Sequence, residues 1–118
     1  MDVRDYPKEI EALSLELAEA TSDLAAVREQ MEVEQTETLA TVLYARGEDG
    51  KQLYRNDRAR DVAVFRALRE SDTYRQYRLM ERGCEARKAA IAAKLERLRK
   101  EFQLAAIEFE ANHLGRRN

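Results

Sequence analysis

The sequence predicts an all-α fold, an antiparallel helical hairpin or coiled coil that self-associates. Two observations carry that prediction. Two long stretches place apolar residues at alternating three- and four-residue spacing, and a glycine-bracketed acidic turn separates them. Composition agrees: 37% of the 118 residues are charged, only one is proline and four are glycine, and Ala, Glu, Leu and Arg dominate. One hairpin domain is expected over residues 1–118, with a first helix over 7–46, a turn over 47–56, a short helix over 57–70 and a long helix over 71–112.

The first helix is opened by Asp5 and Pro7, because a short acidic side chain caps free N–H groups and proline is tolerated in the first turn. Its stripe is Ile10, Leu13, Leu17, Ala20, Leu24, Val27 and Met31. Glu34 interrupts that register, and the seam is expected to resume one residue out of phase at Leu39 and Val42, with Leu43 beside it. Gly47-Glu48-Asp49-Gly50 then stops the helix, since a glycine just past a helix end adopts the left-handed cap without a Cβ penalty. Thr41 to Tyr44 and Leu53 to Tyr54 are rich in β-branched or aromatic residues around Asp49-Gly50, so a short β-hairpin at the tip is the alternative.

Asn56 or Asp57 caps the short helix, whose apolar side is Val64, Phe65 and Leu68. Ser71 and Asp72 cap the long helix, which carries Tyr77, Cys84, Ile91, Leu98 and Ala105 at seven-residue spacing, with Leu95, Phe102 and Phe109 as a second line. At about 100° per residue, the Val64, Phe65, Leu68 face lies roughly a third of a turn from the later stripe. Either the chain kinks near Ser71, or this face packs on another subunit, which makes it the candidate oligomer face. The second arm is also longer than the first, and small domains with thin cores commonly rely on oligomerisation.

Charge is segregated. Residues 1–50 hold 4 Lys/Arg against 13 Asp/Glu, and residues 51–100 hold 15 against 7. One reading is that an acidic arm folds on a basic arm and fixes antiparallel register. The other is that the arginines contact phosphates: Arg55, Arg58, Arg66 and Arg69 on one helical side, and Arg75, Arg78 and Arg82 on another, with Tyr54, Tyr74 and Tyr77 among them. Tyr77 lies on the apolar seam and Tyr74 close to it, so packing claims both rings as well.

Enzyme motifs are missing. Gly50-Lys51 lacks the glycine five positions earlier, where Ala45 stands, and Gln52 replaces the Ser or Thr of a phosphate loop. Cys84 is the only cysteine and His113 the only histidine, too few for a four-ligand zinc site or an internal disulfide. No catalytic site, cofactor or metal is expected. The longest uncharged stretches fall short of the ~20 apolar residues a membrane span needs, and the acidic N-terminus is unlike a signal peptide. The expected setting is therefore cytoplasmic.

Asp49-Gly50-Lys51, Tyr54, Asn56, Arg60, Leu68, Asp72, Tyr74, Leu98 and Phe102 follow one another in an order that resembles small helical proteins from recombination modules of phages and mobile elements. The resemblance covers roughly residues 49–105. It implies an accessory that binds single-stranded DNA or loads a recombinase, similar in role to recombination mediators, with the arginine strips as its candidate contacts.

Overall fold

A computed structural model describes residues 1–117, the side chains of Arg116 and Arg117 excepted. The described residues form three helices, α1 (Tyr6–Tyr44), α2 (Asp57–Glu70) and α3 (Asp72–Arg117). It divides into two compact units: Met1–Ser22 with Cys84–Asn118, and Asp23–Gly83.

In the first unit the start of α1 runs antiparallel to the later part of α3. Tyr6 meets Phe102 with ring centroids 5.6 Å apart, and Glu19 approaches Arg87 at 3.9 Å. Tyr6, Ala20, Ile91 and Leu95 are buried, and Ile10, Leu13, Leu17, Leu98 and Phe102 are half-buried. The expected stripes are the observed seam, extended one step back from Ile10 to Tyr6. Phe109 departs from it. It is 52% exposed, stacked on His113 rather than on α1, because α1 supplies no turn opposite it once Tyr6 has paired with Phe102.

In the second unit the remainder of α1 runs antiparallel to the start of α3. Arg28 meets Glu81 at 3.1 Å, and the Gln35 amide donates to the Tyr74 hydroxyl at 2.8 Å. Leu24, Val27, Met31 and Val42 are buried. The expected phase slip at Glu34 does not hold at Leu39, which is 43% exposed, whereas Glu34 and Thr38 are half-buried. The stripe keeps its phase from Met31 through Glu34 and Thr38 and meets Val42 four residues on, so polar side chains occupy seam positions. Thr41 is exposed while Val42 is buried and Leu43 half-buried, so the expected one-residue slip is present at Val42 and Leu43 but comes after Thr38 rather than at Glu34.

The tip ends α1 at Tyr44, before the expected Arg46, because the next backbone groups are recruited across the turn. Leu53 N–H donates to the Ala45 carbonyl at 3.0 Å, Gly47 N–H to Lys51 at 2.9 Å, and Arg46 and Gln52 form one antiparallel bridge. Thr41 to Tyr44, the residues that favoured a β-hairpin, stay in the helix, where the Thr41 hydroxyl donates to the Glu37 carbonyl. The left-handed glycine is Gly50, with φ 75°, rather than Gly47 at the helix end. The Asp49 carboxylate then accepts from the Lys51 N–H at 3.0 Å and closes the turn.

Asn56 is the N-cap of α2, its side chain accepting from Ala59 N–H at 2.8 Å. Of the two outcomes expected near Ser71, the chain takes the break. Ser71 is extended (φ −75°, ψ 119°), its N–H donates to Leu68, and its hydroxyl accepts from Tyr74 N–H at 3.2 Å. One residue therefore ends α2 and caps α3. At its far end α3 runs to Arg117 and passes the expected stop at Asn112, because Gly115 has no left-handed φ and continues the helix.

Candidate functional site

The second unit gathers the basic residues around α2 and the first turns of α3. Arg60, which no charge strip singled out, anchors the tip to α2. Its guanidinium donates to the Tyr54 carbonyl at 3.2 Å and to Gln52 Oε1 at 3.2 Å, and it approaches Asp57 at 3.3 Å. With its side chain only 23% exposed, it is a structural arginine. The signal that would have found it is its position four residues after the Asn56 cap, which turns its side chain back toward the tip.

The seven candidate arginines do not form the two expected strips. Arg55 precedes α2, which begins at Asp57 after its cap, and it pairs with Asp49 at 3.1 Å. Helical phasing therefore does not extend to it. Arg58 and Arg66 line a groove of about 570 Å³ with Tyr54, Val62 and Ala63. Arg69 leaves them and joins Arg75 and Arg78, together with Leu68 and Tyr74, around a second recess of about 400 Å³ at the α2–α3 junction. Arg82 is exposed and lines neither.

The break at Ser71 makes this regrouping. A continuous helix would place Arg69 and Arg75 six residues apart, roughly 240° around the axis. Across the extended junction, the Arg75 guanidinium reaches the Arg69 carbonyl at 3.3 Å and Asp72 at a looser 3.7 Å. The Tyr74 ring is half-buried and its hydroxyl is held by Gln35. The recess thus presents three guanidinium groups and one aromatic wall, with Asp72 the one carboxylate paired with any of the three among the described residues. Such a surface can take an anion bearing several oxygens, since planar guanidinium groups donate to phosphate in pairs.

The candidate oligomer face is divided in the same way. Val64 and Leu68 are half-buried, Leu68 inside the arginine-lined recess, and Phe65 stays 68% exposed. No residue of α2 is buried. In the first unit Cys84 is half-buried on the seam, where a thiol packs as a small hydrophobe.

Between the arms, the ion pairs only partly follow the charge segregation. Glu19 with Arg87 matches an acidic first arm against a basic second arm, while Arg28 with Glu81 has the opposite sense. No helix among the described residues is long and apolar enough to cross a membrane. No family model, no curated protein and no solved structure is similar to this chain.

Proposed function

We propose that the chain is a non-enzymatic helical-hairpin interaction module that homo-oligomerises in the cytoplasm and acts through its surface. The observation that carries this reading is α2, a 14-residue helix that buries none of its residues and leaves Phe65 68% exposed. Isolated helices of that length are marginal in water and draw their stability from packing of an apolar face. A second surface supplies what the chain lacks. The α2 groove and the junction recess set arginines beside apolar and aromatic side chains, with Asn56 and Glu70 also in the groove, a mixture suited to docking another surface. The test is light scattering after size exclusion across a concentration series. An oligomer at micromolar concentration that Phe65→Asp weakens supports the reading, and a 13.7 kDa monomer throughout ends it.

A second reading is favoured by the junction recess: a single-stranded nucleic-acid-binding accessory of the phage recombination type. Arg69, Arg75 and Arg78 around Tyr74 combine cations with an aromatic ring, the combination that sequence-tolerant single-strand binders use. Adding an oligonucleotide to the same measurement separates the two readings. A mass increase that salt abolishes favours this one.

A further inference from the structure

On α3 the face turned away from α1 carries a second heptad stripe. Within the first unit it runs through Ala86, Ala90, Ala93, Arg97, Lys100, Leu104, Ile107, Ala111 and Leu114, again at alternating three- and four-residue spacing. At about 100° per residue it lies nearly opposite the seam of Ile91, Leu95, Leu98 and Phe102. Its large members have no cover: Leu104 is 63% exposed, Ile107 62% and Leu114 59%. A shallow groove of about 350 Å³ already runs along it beside Ala93, Arg97 and Leu104. Resting on the self-association proposed above, we infer that this outer stripe is a homodimer seam on which α3 of a second copy lies antiparallel.

The occupant follows from the stripe's own asymmetry. Its first half is alanine and its second half is larger. An antiparallel copy sets Ala90 against Ile107 and Ala93 against Leu104, so these two alanines receive large residues and only Ala86 meets an alanine, Ala111, whereas a parallel copy stacks every alanine on its own counterpart and leaves gaps. Charge selects the same orientation. Lys94 and Glu101 flank the stripe on one side, and in the antiparallel register Lys94 of each copy faces Glu101 of the other, so the pair forms twice. Parallel alignment would instead bring Glu96 opposite Glu101 of the second copy, a repulsive contact. Arg97 and Lys100 meet at the middle of the antiparallel seam. Their aliphatic stems cover the interface while the charged heads turn out toward Glu96 and Glu101, and these two symmetry-related polar layers at the centre fix register.

The test keeps this geometry apart from self-association in general. The intact chain is measured by analytical ultracentrifugation beside Leu104→Asp/Ile107→Asp, Lys94→Glu, and Lys94→Glu/Glu101→Lys, with circular dichroism confirming helix in each. The expected result is a dimer that the aspartates weaken at least about 100-fold, because carboxylates would be desolvated against alanine twice over. Lys94→Glu should weaken it several-fold, and the double exchange should restore it. In a Cys84→Ser background, Ala90→Cys chains mixed with Ile107→Cys chains should form mixed disulfides in preference to either homodimer. A wild-type oligomer indifferent to the aspartates, or Ala90→Cys chains that cross-link to themselves, overturns the antiparallel seam while leaving self-association intact. A wild-type monomer overturns both.

Discussion

The ring of Tyr6 stands 5.6 Å from that of Phe102, tilted by 40°, and closes the seam between α1 and α3 at the first turn of α1. Behind it Leu95 is 3% exposed and Leu98 half-buried, whereas Arg99 points to solvent. Leu95→Ala should therefore cost about 2–4 kcal/mol in urea unfolding. Leu98→Asp should cost more than Arg99→Asp by several-fold, because only the former desolvates a charge. Equal tolerance of the two aspartates would mean that the seam is drawn on the wrong face.

At the tip, Gly50 holds φ 75° with open space where a Cβ would stand. Gly50→Ala should lose about 1 kcal/mol through backbone strain alone, while Gly50→Asn should lose less. At Gly47 a Cβ would come within 3.2 Å of Asp49 Oδ1, so Gly47→Ala disturbs the Asx turn instead. Thermal unfolding of the three variants orders these effects.

Capping gives a third expectation. Asn56→Ala removes the acceptor that Ala59 N–H uses and should cost about 1 kcal/mol, with Asn56→Asp restoring most of it. Hydrogen exchange should show faster exchange confined to α2. Uniform loss across all three helices would show that α2 is not a separately opening element.

The arginine recess makes a residue-specific claim. Arg69→Gln/Arg75→Gln/Arg78→Gln should abolish any oligonucleotide affinity at low salt, and Arg82→Gln should barely change it, since Arg82 lies outside the recess. Binding should fall with salt at a logarithmic slope of about −0.7 per phosphate neutralised. Helix content should survive, as exposed charges contribute little to stability. Equal losses from the triple and single variants would return the recess to diffuse electrostatics.

Most of the fold was legible because helical seams declare themselves through period. The run from Ile10 to Met31 and the run from Tyr77 to Ala105 were both read from spacing alone, as was the Asn56 cap. Reading failed where a side chain tolerated either environment. Glu34 and Thr38 are polar yet sit on the seam, and Leu39 is apolar yet exposed, so hydropathy placed the slip too early, while Val42 and Leu43 lie where the shifted phase puts them. The site was less legible still. Helical phasing grouped Arg69 with Arg66, whereas the extended backbone of Ser71 moves it beside Arg75 and Arg78. That grouping depends on the direction the chain takes at Ser71, and the capping residues announce a break there without fixing that direction. Arg60 was marked as an anchor only by its place four residues after the Asn56 cap, because its three partners converge only after the tip has folded.

Ser71 interrupts what would otherwise be uninterrupted helix, a lone extended residue between elements of 14 and 46 residues. Turning its ψ from 119° to the about −42° of a helix would merge α2 and α3 and swing α2 away from the rest of its own unit. What opposes that motion is the Arg60 anchor to the tip and the half-buried Val64 and Leu68, contacts that the same residues of a neighbouring chain could supply. The junction is therefore built like the hinge of a domain swap, in which identical elements change places between copies at little net cost. Ser71→Ala removes the acceptor for Tyr74 N–H and favours helix through the junction, so the expected outcome, read by size exclusion, is a larger share of exchanged oligomer than in the wild type.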